Sequence, residues 1–195
     1  MDRQLYLEDS RERTPSLPEE LRDRQLLSEF SLFLNKYLKS KSYILEEHLL
    51  DAYQNVLEAL QHWARIVIIE EGETVQEAVW NQVRSINSGV YKLYEELTTS
   101  KETLKQRIQL VLLACEFSVM SKMERCCKPL IQRLDSRPEP WSADELLEQP
   151  EIQILGNNLH QLLNKLVKKT LVKEVAVPAD AECSQLLLRY TLFKN

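Results

Sequence analysis

One predicted helix carries a row of polar side chains whose types could do chemistry. The row repeats at steps of three and four, which places it on one helical face, and it consists of Asp51, Asn55, Glu58, His62 and Arg65. Carboxylate, amide and imidazole groups in this order could bind a molecule in a cleft shared with a partner domain. The alternative is a solvated helix face, stabilised by the pairs Asp51–Asn55 and Glu58–His62 four positions apart.

A second group of candidate binding residues lies on the next predicted helix. Trp80, Asn81 and Arg84 have a spacing that suits stacking combined with hydrogen bonding. A core tryptophan flanked by surface polar groups would explain the same pattern. Both interpretations stay open from the residues alone.

The sequence contains few signs of catalytic or metal chemistry. The three glycines, Gly72, Gly89 and Gly156, are scattered and form no phosphate-binding loop. The histidines have no HExxH or other metal-ligand spacing, and no serine lies in a GxSxG setting. We therefore predict no catalytic residue, no metal site and no cofactor in this chain.

The polar row belongs to the longest uninterrupted helical pattern in the chain, predicted from Tyr43 to Glu71. Gly72 follows where a left-handed C-cap is expected. Another helix is predicted to begin at Pro18 and to close with the positive charge of the segment Lys39 to Ser42. Because the connection is short, the two helices should be antiparallel neighbours.

Two pairs with capping-box spacing predict the starts of later helices. Thr74 and Glu77 precede a third helix, and Thr99 and Glu102 precede a long helix that ends near Met123. A turn is predicted between these helices, at residues 87–89. The fold class that follows is mainly α, with a helical bundle over residues 18–123 after a flexible lead-in over residues 1–17.

Residues 124–195 have a different pattern, in which three short helices precede two strands. Ser142 is expected to cap the second helix, and Asn157 or Asn158 the third. The strands are predicted at Leu171–Val177 and Leu186–Phe193. This order is typical of a winged helix-turn-helix, so we predict a small winged-helix (α+β) domain after the bundle.

The third of these short helices is the candidate nucleic-acid contact. Its side chains Gln161, Asn164, Lys165 and Lys168 could touch phosphates and base edges. Against this, the segment 121–195 holds 11 Lys+Arg and 10 Asp+Glu residues, whereas phosphate contact usually requires clustered positive charge. The alternative function is thus a DNA-binding regulator, with the bundle as effector module or as the dimerisation surface of a homodimer.

The composition indicates a protein of the cytoplasm. The net charge is −5, no apolar run approaches the ~20 residues of a membrane span, and the N-terminus does not resemble a secretory signal. No membrane contact is expected. The four cysteines, Cys115, Cys126, Cys127 and Cys183, have no CxxC spacing, so reduced thiols packed like small apolar residues are predicted.

Several longer sequence segments carry a family resemblance. They are LDAYQNVLEALQHWAR at 50–65, VWNQVR at 79–84, VYKLYEEL at 90–97 and WSADEL at 141–146. Over roughly residues 25 to 175 the chain resembles the bacterial nucleotidyltransferase-like (YgxA-like) proteins. The resemblance implies an N-terminal nucleotidyltransferase-type domain, a helical substrate-binding-like bundle similar to the helical half of aminoglycoside nucleotidyltransferases, and a C-terminal winged helix.

The chain departs from that family at the catalytic motif. The nucleotidyltransferase domain needs a Gly-Ser turn and an Asp-x-Asp/Glu pair to hold magnesium and nucleotide phosphates. Here Asp180 and Glu182 have the pair spacing, but no Gly-Ser precedes them. We therefore expect a chain that lacks the catalytic domain, with Mg²⁺ and the nucleoside triphosphate (NTP) bound by that partner domain.

The resulting expectation is a non-catalytic chain that presents an acceptor substrate to a nucleotidyltransferase-type domain. The residues expected to bind the acceptor are Asp51, Asn55, His62, Trp80, Asn81 and Arg84. A purely structural interaction protein is a further alternative, for which an exposed apolar patch on the bundle would be the sign.

Overall fold

The structure is a computed structural model that describes residues 18–178 and 186–193 of the 195-residue chain. The predicted lead-in over residues 1–17 lies outside the described residues. The helices are α1 Glu19–Leu45, α2 Leu49–Glu70, α3 Val79–Ile86, α4 Ser88–Thr99, α5 Leu104–Cys126, α6 Lys128–Asp135, α7 Ala143–Leu147 and α8 Asn158–Lys168. A 3-10 helix spans Gln153–Leu155, and the strands are β1 Val172–Pro178 and β2 Leu186–Leu192.

The first two helices form an antiparallel pair, as their short connection predicts. Ser40 Oγ donates a hydrogen bond to the carbonyl of Ala52 at 2.7 Å, and further along α1 the Glu29 carboxylate meets His62. The start predicted for the second helix, Tyr43, is wrong, because α1 continues to Leu45 and the chain reverses over residues 46–48. Glu47 makes that reversal possible with a φ of 61°.

The end of α2 is closed by a Schellman motif, which confirms the C-cap predicted at Gly72. Gly72 has a φ of 80°, a conformation that is costly for residues with a Cβ. Its N–H donates to the carbonyl of Ile69 at 3.0 Å, and the N–H of Glu73 donates to Ile68 at 3.2 Å. Two of the last carbonyls of α2 are thereby satisfied.

Both predicted capping boxes are wrong. Thr74 and Glu77 lie before α3, which begins only at Val79. The capping box of α5 lies one turn later than predicted, at Thr103 and Gln106. Thr99 cannot cap α5 because it is the last residue of α4.

The turn predicted at residues 87–89 is tighter than expected. Asn87 is the N-cap of α4, and its side chain accepts a hydrogen bond from the Val90 N–H at 3.1 Å. The helix therefore begins at Ser88, directly after the end of α3.

The core lies where α1, α2 and α5 pack together. Rings from α1 and α2 meet there, since the centroids of Phe33 and Trp63 are 5.8 Å apart. Each large apolar side chain buried in this way contributes about 1.5–3 kcal/mol. The fully buried members include Phe30, Leu34, Leu60, Ile66, Ile108 and Val119.

The C-terminal part is a small α+β unit, which together with the bundle confirms the predicted fold class. β1 and β2 pair antiparallel, with Val172 opposite Leu192, close to the predicted strand bounds. Ser142 and Glu145 form the capping box of α7, which confirms the expected cap. The predicted division at residues 123/124 falls inside a helix, because α5 continues to Cys126, and the domain boundaries stay a prediction.

The C-terminal unit is joined to the bundle through α1. Asn35 Nδ2 on α1 donates to Asn158 Oδ1 at the start of α8, at 3.1 Å, and Arg24 Nη2 donates to the carbonyl of Pro150 at 3.0 Å. Within the described ranges, no helix is long and apolar enough to cross a membrane.

Candidate functional site

A polar cluster in the bundle joins α1 to the polar row of α2. Glu29 Oε2 lies 2.7 Å from His62 Nδ1, and Glu29 Oε1 accepts a hydrogen bond from Arg65 Nη1 at 3.3 Å. The side chains of Glu29 and His62 are both 17% exposed, while Arg65 reaches further into solvent. One carboxylate thus holds an imidazole and a guanidinium in fixed positions at the bundle surface.

A cleft opens beside this cluster. It has a volume of about 290 Å³, and Glu29 and Arg65 lie in its wall together with Gln25, Ser28, Thr74 and Val75. A carboxylate, a guanidinium and small hydroxyl groups around one concave surface can orient a molecule that carries hydroxyl or amino groups. The cleft therefore combines these polar groups with an apolar wall of Ile69, Val75 and Ile154, and it touches the cluster through Glu29 and Arg65.

The other half of the polar row is occupied by local hydrogen bonds. Asn55 Nδ2 donates to the Asp51 main-chain carbonyl at 2.8 Å, so the predicted Asp51–Asn55 pair forms through the backbone of Asp51. Glu58 accepts from Gln54 at 2.9 Å and pairs with Lys36 of α1, instead of with His62. Hydrogen bonds from Lys36 and Gln54 lower the pKa of Glu58.

The predicted binding residues on α2 do not form one small site. At a rise of about 1.5 Å per residue, Asp51 lies about 16 Å along the helix axis from His62. Asp51 is exposed in the first turn of α2, whereas the cleft lies beside Arg65. A small acceptor can therefore contact one end of the row but not both.

The residues predicted on α3 belong to an aromatic cluster with α4. The rings of Trp80 and Tyr94 are stacked with centroids 4.0 Å apart, and the Arg84 guanidinium lies 5.4 Å from the centroid of Tyr91. Asn81 is exposed. Trp80 thus uses one ring face for packing, and only its remaining surface could contact a ligand.

A family comparison decides what kind of domain the bundle is. The family model described as the YgxA-like substrate binding domain matches residues 23–122. The chain belongs to this family. The matched segment contains α2, α3, α4 and most of α1 and α5, and hence the Glu29–His62–Arg65 cluster.

Two relatives extend the comparison beyond the bundle. The uncharacterised protein YgxA of Bacillus subtilis (strain 168) is 32% identical over 171 residues, which are 88% of this chain and 58% of YgxA. A solved nucleotidyltransferase-like protein from Exiguobacterium sibiricum 255-15 superposes with a TM-score of 0.85 at 31% identity, covering 91% of this chain and 61% of that one. The chain thus spans about three fifths of the length of these relatives.

The resemblance assigns magnesium to the catalytic domain, and the described residues of this YgxA-like chain form no cluster of ligands for it. In the ranges 18–178 and 186–193, no group of three or more His, Cys, Asp or Glu side chains could hold a metal ion. Asp180 and Glu182, the spaced carboxylates noted in the sequence, lie outside the described residues.

The candidate nucleic-acid residues of α8 differ in exposure. Asn164 and Lys168 are exposed, while Gln161 and Lys165 are half-buried. Burial lowers the pKa of Lys165, whose neighbouring charges include Glu116 of α5 and Lys41 of α1. Part of the predicted contact surface is therefore turned toward the bundle.

Glu29 is the candidate site residue that the sequence pattern does not indicate. It lies among the apolar residues Leu26, Phe30 and Phe33 of α1, and nothing in its own spacing marks it. The signal lay in the short α1–α2 connection, because it sets the register of the pair. Once Ser40 lies beside Ala52, Glu29 must lie near His62.

Proposed function

We propose that this YgxA-like domain binds an acceptor substrate and presents it to a nucleotidyltransferase-type catalytic domain. The observation that carries the proposal is the Glu29–His62–Arg65 cluster beside a cleft of about 290 Å³, within the segment that matches a substrate-binding domain. The name of the Exiguobacterium structural relative supports the type of partner domain. Mg²⁺ and the nucleoside triphosphate would be bound by that domain.

The charges of the cluster indicate a class of acceptor. Glu29 accepts hydrogen bonds through both carboxylate oxygens, and Arg65 donates. An acceptor with hydroxyl and amino groups offers the matching donors and acceptors. Of the predicted residues, we propose that His62 acts on the acceptor through Glu29, because His62 holds that carboxylate but does not itself line the cleft. We propose Asp51, Asn55, Trp80, Asn81 and Arg84 as a wider rim for a larger acceptor.

The proposal is tested by nucleotidyl transfer in a protein that contains this chain together with a nucleotidyltransferase-type domain. Label from α-labelled ATP is followed into a panel of aminoglycosides, amino sugars and nucleosides. His62→Ala and Glu29→Ala should each lower kcat/KM at least about tenfold, as expected for a lost hydrogen bond to a charged group. The matched control is Gln61→Ala, an exposed residue of the same helix.

The outcome also distinguishes the ends of the polar row. A loss in His62→Ala with an unchanged rate in Asp51→Ala places the acceptor beside Glu29. If both variants and Glu29→Ala keep the full rate with every acceptor that is modified, the site assignment is wrong.

One observation favours the second candidate function, a nucleic-acid-binding regulator. Trp141 and Tyr190 exchange main-chain hydrogen bonds of 2.8 and 2.7 Å, so a short segment before α7 joins the β1–β2 hairpin. The elements then follow in the order of a winged helix: one helix, a short strand, two helices and a hairpin. We propose that fold for the C-terminal unit. The nearly balanced charge of this segment makes substrate presentation the preferred function.

A further inference from the structure

A row of large apolar side chains on α5 is open to solvent. The α5 row consists of Leu110, Leu113, Phe117 and Met120. Their exposed fractions are 46%, 69%, 75% and 46%, in that order. Soluble proteins commonly expose such side chains singly, whereas a contiguous apolar patch marks an interaction surface. The α5 row is therefore a candidate contact surface of the bundle.

The spacing of the α5 row indicates the shape of its partner. The four residues follow one another at steps of three, four and three, which is the narrow two-position seam that one helix presents to another in a coiled coil. The core of the bundle already occupies another face of α5, through Val111, Cys115 and Val119. The α5 row is thus a second apolar face, and its geometry suits a helix.

The members of the α5 row are arranged symmetrically about residue 115. Leu113 and Phe117 lie two positions from it, and Leu110 and Met120 lie five positions from it. An antiparallel pair of α5 helices from two copies would place Leu113 against Phe117 of the other copy, and Phe117 against Leu113. The same exchange would join Leu110 and Met120. Such reciprocal contacts are what a two-fold interface requires.

The polar residues at the two ends of the row obey the same symmetry. Gln106 and Glu124 lie nine positions before and after residue 115, and both are exposed. Gln106 Oε1 accepts from the N–H and the hydroxyl of Thr103, so the amide N–H groups of Gln106 remain as donors. Among the residues that the structure describes, no cation pairs with Glu124. Antiparallel pairing brings this amide to that carboxylate, whereas parallel pairing brings two Glu124 carboxylates together.

We propose that the α5 row is the interface of a homodimer, in which α5 packs antiparallel against α5 of a second copy of this chain. At a rise of about 1.5 Å per residue, the contact from Gln106 to Glu124 is about 27 Å long, and one helix is about 10 Å wide. This size lies toward the small end of specific interfaces, so a reversible dimer with a Kd of about 1–100 µM is expected. The row contributes no residue to the cleft beside Glu29, so the dimer does not depend on the proposed acceptor site.

Analytical ultracentrifugation of the full chain, at about 1–300 µM, tests the dimer. We expect the mass to rise from that of one chain toward that of two. Leu113→Glu and Phe117→Glu should each weaken the dimer at least about tenfold, because the symmetry places two carboxylates in an apolar contact. Leu50→Glu, at a 78% exposed leucine of α2 outside the row, is the matched control and should leave the dimer unchanged. A monomer at every concentration, or equal weakening by the control, would overturn the proposal.

Cysteine cross-linking in a Cys183→Ser background tests the antiparallel arrangement. Gln106→Cys combined with Glu124→Cys should give a disulfide-linked dimer on mild oxidation, because the two positions face each other. Glu124→Cys alone should cross-link at least about tenfold more slowly, since its two copies would be about 27 Å apart and a disulfide needs Cα atoms within about 7 Å. Faster cross-linking by Glu124→Cys alone would indicate a parallel pair and overturn the proposal. A monomeric chain whose binding to a separate nucleotidyltransferase-type domain is weakened by Leu113→Glu would assign the row to that domain instead.

Discussion

Glu29 Oε2 lies 2.7 Å from His62 Nδ1, and this contact fixes α1 against α2 at the edge of the polar cleft. Both side chains are 17% exposed, so the pair is mostly shielded from water. The same carboxylate also binds Arg65. Glu29 therefore organises the cluster, and its loss affects both partners.

Glu29→Ala should lower the free energy of unfolding by about 1–2 kcal/mol, because two half-buried groups lose a charged hydrogen-bond partner. Urea unfolding followed by circular dichroism measures this change. Glu95→Ala, an exposed glutamate on α4, serves as the control and should change the value by less than about 0.5 kcal/mol. An equal effect in both variants would show that Glu29 does not join the helices.

Much of the fold could be predicted from the sequence because it depends on local signals. The apolar repeats predict the helices, Gly72 predicts the end of α2, and Ser142 predicts the start of α7. The capping boxes predicted at Thr74 and Thr99 are wrong for a physical reason. The same residue spacing occurs inside a link or a helix, and the end of the preceding element decides whether it caps.

The site was harder to predict because it depends on contacts between elements. The polar row on α2 was visible, but its partners Glu29 and Lys36 lie on α1, far away in sequence. The burial of Ser118 has no sequence signal, since a serine inside a helix usually faces solvent or bonds to a nearby carbonyl. Only packing determines that it is buried.

Trp80→Ala should reduce the free energy of unfolding by about 2 kcal/mol, because its ring is stacked on Tyr94 at 4.0 Å. Thermal and urea unfolding measure the loss. Asn81→Ala, next to it and exposed, should change stability by less than about 0.5 kcal/mol. A stable Trp80→Ala variant with impaired acceptor binding would instead assign the ring to the substrate.

The ion pairs of Asp23 should make the free energy of unfolding decrease as the pH is lowered into the acidic range. Burial raises the pKa of its carboxyl, but hydrogen bonds from Lys128 and Arg125 outweigh that effect and hold the pKa below its ordinary value. The oxygen–nitrogen distances are 2.9 Å to Lys128 and 2.7 Å to Arg125. Because the pKa of this carboxyl is lower in the folded protein, its charged form stabilises the fold at pH values above the unfolded-state pKa of about 3.9. This stabilisation is lost as the pH falls through the folded-state pKa.

Asp23→Asn should therefore be less stable than the natural sequence by about 2 kcal/mol at neutral pH. The difference should shrink below about pH 4, where the natural carboxyl takes up a proton. Urea unfolding at a series of pH values measures it, with the exposed Glu139→Gln as a control. A difference that stays constant down to pH values near 2 would contradict the assigned ion pairs.

Three thiols should be unreactive in the folded protein. Cys115, Cys126 and Cys127 are free and buried, which confirms their prediction as packed thiols, while Cys183 lies outside the described residues. Burial raises the pKa of Cys126 to about 12, and it also raises the pKa values of Cys115 and Cys127 well above the ordinary value of a thiol. Because the thiolate is the reactive form, little of it exists near neutral pH.

The Cys183→Ser variant isolates these thiols from the fourth one. With Ellman's reagent at about pH 8, we expect its native state to react more than about 100-fold more slowly than the same protein in denaturant. Adding Gln61→Cys, at an exposed position of α2, should create one fast-reacting thiol. Rapid reaction without that addition would show that the core opens on the timescale of the assay.

Duplex DNA should bind weakly, even to a C-terminal unit for which we propose a winged-helix fold. Lys165 is half-buried, and burial lowers its pKa, so fewer of the predicted contacts are free to reach phosphates. At about 150 mM salt we expect no increase in the fluorescence anisotropy of a labelled duplex below about 100 µM protein. Lys168→Ala and Asn164→Ala should then have no effect. Binding that weakens with salt, and whose salt dependence falls by about one phosphate contact in Lys168→Ala, would instead make α8 a nucleic-acid reader and favour the regulator function.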